Sequence, residues 1–206
     1  MAYILQLDSS ANLSSSMSRQ LTDELAQRWA AGAGFEVRRR DLHTAPLPHL
    51  ETNALHFISD MRPQDAAVPS AGATGLQNEL LEELSGAAGV VIGAPMYNFS
   101  MPSTLKAWLD YVHVIGATSP AAQGIAPLRG KPVVAVSARA TPTGADPRTD
   151  FVLGPFFAIL GEFMAMDVHG FVVHSEPPAA PGDFHRPVES VRAELADWAD
   201  RQTQSA

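Results

Sequence analysis

What most constrains this chain is the order of its apolar segments: five runs of strand length alternate with stretches whose apolar residues recur at helical period. A strand, a crossover helix and another strand build a parallel sheet with helices packed on its faces. Residues 3–7 read as the first strand. Met17, Leu21, Leu25 and Trp29, four apart, then share one face of a helix that Gly32 and Gly34 are expected to stop. Residues 35–37 form a short second strand, and Arg38-Arg39-Arg40 reads as a solvated edge where that strand meets the surface. Residues 90–95, 132–137 and 167–173 supply the third, fourth and fifth strands. The helices between them carry Leu76, Leu80 and Leu84, then Leu105, Trp108, Leu109 and Val112 behind Pro102, then Phe156, Phe157, Leu160 and Met164 from a start near Pro155. A last helix holds Val188, Val191, Leu195 and Trp198. The expectation is a doubly wound five-stranded parallel sheet with helices on both faces, in one domain over residues 1–206. Residues 43–75, rich in Pro, Ser, Ala and Gly, are a long excursion between the second strand and its helix, with a short helix near Leu55.

Composition narrows the function classes. With no cysteine there is no disulfide, no thiolate metal site and no cysteine nucleophile, so redox chemistry must come from a bound cofactor. A net charge of −8 argues against a nucleic-acid partner. No run approaches the roughly 18–20 apolar residues of a membrane span. The start, MAYILQLDSS, lacks the basic region of a signal peptide, so the expected location is cytoplasmic. His43, His49 and His56 match no tight metal motif and read as loop histidines. His113 reads as a partly buried structural histidine, and Ser137 lacks the Gly-x-Ser-x-Gly elbow of a serine hydrolase.

In doubly wound sheets, ligands sit outside the carboxyl ends of the strands at the switch point of strand order. The segments after the first, third and fourth strands are therefore the ones to read. The first is Asp8-Ser9-Ser10-Ala11-Asn12-Leu13-Ser14-Ser15-Ser16-Met17-Ser18-Arg19, running into a helix. Free N–H groups and the positive end of the helix dipole suit a phosphate there, with serine hydroxyls in place of a lysine. It is neither a Walker loop nor a dinucleotide turn. The plain alternative is a polar loop ending in a serine cap. After the third strand, Met96-Tyr97-Asn98-Phe99 places a methionine and two aromatics at the switch point. Such surface is costly in water, which calls for a flat group above it; alternatively, Tyr97 and Phe99 plug the end of the sheet.

The run Met96-Tyr97-Asn98-Phe99, followed by Pro102-Ser103-Thr104-Leu105-Lys106 and Asp110, resembles the flavin-contacting segment of FMN-dependent NADH azoreductases, also called NADH–quinone oxidoreductases. Ser10 and Ser16-Met17-Ser18 match that family's phosphate spacing, and Leu160-Gly161-Glu162-Phe163-Met164 with Asp167-Val168 is similar to its last helix–strand joint. The resemblance implies a flavodoxin-like homodimer holding one FMN per subunit near the interface. It implies NADH or NADPH as electron donor and a small aromatic acceptor: a quinone, an azo compound or a nitroaromatic. On this reading Ser10, Ser16, Met17 and Ser18 hold phosphate, Met96, Tyr97, Asn98 and Phe99 cradle the ring, and no side chain is an obligatory acid or base. The segment after the fourth strand departs from the family. Ala138-Arg139-Ala140-Thr141 stands where Ser-Arg-Gly-Gly is usual, and its methyl groups narrow the backbone's approach to the ring. Gly116-Ala117-Thr118-Ser119-Pro120 also lacks the usual aromatic and basic residues, which points to a different acceptor preference. Two other readings stand beside this one: a flavodoxin-type electron carrier, and a diverged flavoprotein of specialised metabolism.

Overall fold

The computed structural model describes residues 1–120, 124, 126–140, 150–175 and 186–204. Five strands, β1 (Tyr3–Asp8), β2 (Glu36–Asp41), β3 (Gly89–Gly93), β4 (Pro132–Arg139) and β5 (Asp167–His174), form one sheet of order β2-β1-β3-β4-β5. All neighbouring strands are parallel. The helices are α1 (Met17–Ala33), α2 (Ala71–Gly86), α3 (Ser103–Val112), α4 (Gly154–Phe156, running on as a π-helix over Phe157–Phe163) and α5 (Val188–Gln204). Strand order reverses between β1 and β3, so the switch point lies there.

Alternation along β1 sorts the two cores. Tyr3, Leu5 and Leu7 face a layer built from α2, α3 and α4, whereas Ile4 faces α1 and α5. Gln6 and Asp8 share the parity of Ile4 and so are carried, buried, to the α1 side. Trp29 of α1 and Trp198 of α5 meet edge to face with centroids 4.9 Å apart. Trp29 also lies so close to β3 that a Cβ at Gly89 would fall 2.0 Å from its ring, so only glycine fits there.

Several boundaries differ from the sequence reading. The first helix passes through Gly32 and ends at Gly34, which takes φ 70° and donates its N–H to the Ala30 carbonyl. The arginine run does lie on the sheet's edge, with Arg38 and Arg39 exposed, but within β2 rather than beyond a short strand. Arg38 covers the Tyr3 ring at 3.9 Å, Arg39 pairs with Asp23, and Arg40 pairs with Glu79 and Glu83. An edge strand tolerates such charge because one of its sides has no neighbour. β4 runs two residues further than expected and takes in Ala138 and Arg139. The excursion holds two short 3-10 turns, Asn53–His56 and Ser59–Met61, and buries Leu55. Its backbone is tied down by Ile58 N–H to Ile115 O (3.1 Å) and Ile115 N–H to His56 O (2.8 Å). No helix among the described residues is long and apolar enough to cross a membrane.

Candidate functional site

The parallel register pairs Asp8 with Asp41, setting two carboxylates side by side at the ends of adjacent strands. Like charges so placed need a cation between them, and α1 supplies one. Arg19 donates to Asp41 through Nη1 (2.7 Å) and Nη2 (2.9 Å), and its Nη1 lies 3.8 Å from Asp8. The same guanidinium donates to the Ser10 carbonyl through Nε (3.2 Å) and Nη2 (2.8 Å). Burial pushes the Asp8 carboxyl above the usual range, against the pull of Arg19 and Arg39. Burial acts on Asp41 in the same sense, but the Arg19 fork and the N–H groups of Thr44 and His43 outweigh it and lower Asp41 to about 2.

Beyond β1 the serine turn folds on Asn12, whose side-chain oxygen accepts from the N–H groups of Ser14 (3.2 Å) and Ser15 (3.0 Å). Ser16 caps α1, accepting from the Arg19 N–H at 3.4 Å, and its hydroxyl lies 3.1 Å from that of Ser18. The first main-chain bond of the helix runs from Gln20 N–H to Ser16 O at 3.1 Å. The N–H groups of Met17 and Ser18 come before it and meet no acceptor among the described residues. Two free amides, paired hydroxyls and the start of a 17-residue helix make a donor set that fits a phosphate.

The chain leaving β3 stays bonded to β4: Ala94 N–H donates to Val136 O and Met96 N–H to Ala138 O, both at 2.9 Å. It then turns sharply. Tyr97 and Ser100 exchange main-chain bonds of 2.8 and 3.1 Å, with Asn98 at φ 50° and Phe99 at φ 65° between them. Asparagine tolerates that left-handed region; phenylalanine rarely does, and strain of this kind concentrates at functional sites. The Phe99 side chain stands 64% exposed. The Tyr97 hydroxyl reaches back across the rim to the Ala11 N–H (2.8 Å) and the Ser10 hydroxyl (3.3 Å). Beside it opens a cleft of about 360 Å³ lined by Ser9, His43, Tyr97, Asn98, Met101 and Ser103, among others.

The three segments singled out in the sequence thus fall at one end of the sheet. Ser10 meets Tyr97 directly, Met96 meets Ala138, and Ser16, Met17 and Ser18 open the helix whose Arg19 grips Ser10. Arg139 is placed differently: its guanidinium turns inward, pairs with Asp150 and donates to the Ser137 hydroxyl at 2.6 Å, so its side chain does not face the rim. Ala140 is exposed, and Thr141 lies outside the described residues. Sequence reasoning missed Arg19, Asp41 and His43. For Arg19 a signal was available, because a cation in the first turn of a helix works against the dipole and requires a compensating partner.

The family model described as "Flavodoxin-like fold" matches residues 2–195. An FMN-dependent NADH:quinone oxidoreductase of Kineococcus radiotolerans is 40% identical over 173 residues, covering 82% of this chain and 81% of that protein. A second of the same description, from Pseudomonas putida, is 36% identical over 203 residues, covering 95% and 98%. Among solved structures, an azoreductase from Bacillus anthracis superposes with a TM-score of 0.71 at 17% identity over the full length of both chains. An FMN-dependent NADH-azoreductase from the same species, in complex with FMN, gives 0.71 at 16% identity, covering 98% of this chain and all of that one. At such identities the structural matches speak to the fold.

Proposed function

The chain belongs to the flavodoxin-like fold family and to its branch of FMN-dependent NADH:quinone oxidoreductases, and from that premise we propose that it is itself an FMN-dependent NAD(P)H oxidoreductase reducing quinones, azo compounds or related flat acceptors. The observation that carries the reading is the meeting of two turns. One end of the switch point offers donors suited to a phosphate, the other an aromatic turn suited to a planar ring, and Tyr97 joins them at 2.8 Å.

On this reading Ser10, Ser16 and Ser18, with the Met17 backbone, hold the phosphate. Met96, Tyr97, Asn98 and Phe99 support the ring, with the main chain of Ala138, bonded to the Met96 N–H, beside them. FMN, when bound, supplies hydride and electron transfer, so the chain needs no acid or base of its own. The role of the residues is then to bind, orient and keep one face of the ring open to donor and acceptor in turn. Exposed Phe99 and the neighbouring cleft leave such a face. We further infer one domain working as a cytoplasmic homodimer, with Phe99, Phe151 and Phe163, all largely exposed, available as apolar surface for the second subunit.

An absorption spectrum of the purified protein tests the reading. Oxidised-flavin bands are expected, bleached by anaerobic NADH and restored by menadione. A protein that stays colourless after incubation with FMN overturns it. Flavin binding without NADH oxidation would leave an electron carrier instead.

A further inference from the structure

We propose that Arg19 is a positioning residue for the phosphate end of the site: it grips the Ser10 carbonyl from behind and so turns the Ala11 N–H toward the rim. The proposal rests on the FMN reading above for its ligand, but not for its geometry.

In a trans peptide the C=O of one residue and the N–H of the next point in opposite directions within one plane. Arg19 takes the Ser10 oxygen with two donors, Nε at 3.2 Å and Nη2 at 2.8 Å. On the other side of the same peptide, the Ala11 nitrogen lies 2.8 Å from the Tyr97 hydroxyl. One grip therefore sets both the direction of a donor in the serine turn and the seat of the tyrosine that joins the two turns.

The guanidinium can hold that position because it is itself anchored. Asp41 takes Nη1 at 2.7 Å and Nη2 at 2.9 Å, Asp8 lies behind at 3.8 Å, and only 16% of the Arg19 side chain is exposed. Its Nε, Nη1 and Nη2 groups are engaged by Asp41 and Ser10, and the cofactor's charge is left to amides and hydroxyls. A lysine keeps the charge but not the fork, since one ammonium cannot bridge two carboxylate oxygens and a carbonyl in this planar arrangement. The residue also opposes the helix dipole in the first turn of α1, a cost that these contacts offset.

Two measurements on Arg19→Lys separate this role from a general structural one. The first is amide hydrogen exchange at Ala11 in the purified protein, with protection at Leu25 in the α1 core as reference. Exchange at Ala11 is expected to rise roughly three- to tenfold, and Tyr97→Phe should raise it likewise, while Leu25 is unchanged. The second is the ratio of FMN to riboflavin affinity, which reads the phosphate contribution alone; it is expected to fall roughly tenfold with riboflavin binding retained. Asp41→Asn, which leaves Arg19 in place but loosens its anchor, should give smaller losses of the same kind and serves if the lysine variant folds poorly. Unchanged Ala11 exchange overturns the proposal, and so does a faster Ala11 with an unchanged ratio. If the wild type binds neither flavin while Arg19→Lys still speeds Ala11 exchange, the function reading fails and the clamp stands.

Discussion

The Tyr97 hydroxyl and the Ala11 amide nitrogen lie 2.8 Å apart although 86 residues separate them in the chain. The contact exists because β1 and β3 are neighbours in the sheet, so that both turns leave it at the same rim. Ser9 reinforces the junction by donating its hydroxyl to the Gly93 carbonyl at 2.6 Å.

Tyr97→Phe keeps the ring and removes the bridge. One neutral hydrogen bond is worth about 0.5–1.5 kcal/mol, so FMN should bind roughly three- to tenfold more weakly. Flavin fluorescence titration measures this. Affinity equal to wild type would mean that the hydroxyl takes no part in holding the two turns around the cofactor.

Ser16→Ala and Ser18→Ala separate cap from ligand contact. Ser16 caps α1, so its loss should cost about 1 kcal/mol of stability as well as FMN affinity. Ser18 caps nothing, and its loss should weaken FMN with little change in melting temperature. Each charge-assisted bond is worth about 1.5–3 kcal/mol toward a phosphate, and none toward riboflavin, which lacks one. Equal losses for the two flavins would remove the phosphate assignment.

How much of this was legible depends on how far apart the partners stand. The five strands showed because each apolar run is bounded by glycine, proline or polar residues, and the helices showed by their stripes. β2 was cut short because three arginines look like surface; they belong to a strand only once Glu79, Glu83, Asp23 and the Tyr3 ring stand opposite them. The serine and aromatic turns were readable as local chemistry. For Arg19 the helix dipole signals that a partner is needed but not which one, because Asp41 comes within reach only when the β1–β2 register sets Asp8 beside it. Likewise nothing in Ala138-Arg139 shows that the arginine turns inward, since that depends on Asp150.

Asp8 gives the stability a pH dependence of definite sign. Its folded carboxyl titrates above the ordinary 3.8, chiefly through burial. Between 3.8 and that raised value the folded state holds more protons than the unfolded one, so stability falls as pH rises through the window. Asp41, held at about 2, acts oppositely: its contribution is full above 3.8 and is lost as pH falls toward 2. Asp8→Asn removes the first effect at little geometric cost. Its Nδ2 can donate to the Thr22 hydroxyl, which donates on to Ser18 O at 2.8 Å, and its oxygen can accept from Gln6. Arg19 and Arg39 keep Asp41 and Asp23. The variant should melt higher than wild type at pH 7, with the gap closing near pH 4. A lower melting point at pH 7 that recovers near pH 4 would show that the Asp8 charge stabilises the fold.

Phe99→Gly tests whether the strained turn serves the acceptor rather than the fold. At φ 65° a side chain costs about 1–2 kcal/mol that glycine avoids, while glycine adds roughly 0.5–1 kcal/mol of unfolded-chain entropy. The ring is 64% exposed, so little core is lost. The two terms nearly cancel, and the melting temperature should stay within a few degrees of wild type or rise. If Phe99 covers the acceptor face of the ring, the KM for a quinone should rise several-fold while FMN affinity holds. Steady-state kinetics with menadione beside a thermal melt settles it. A destabilised variant with unaltered KM would make Phe99 a packing residue and free the aromatic turn of any part in substrate recognition.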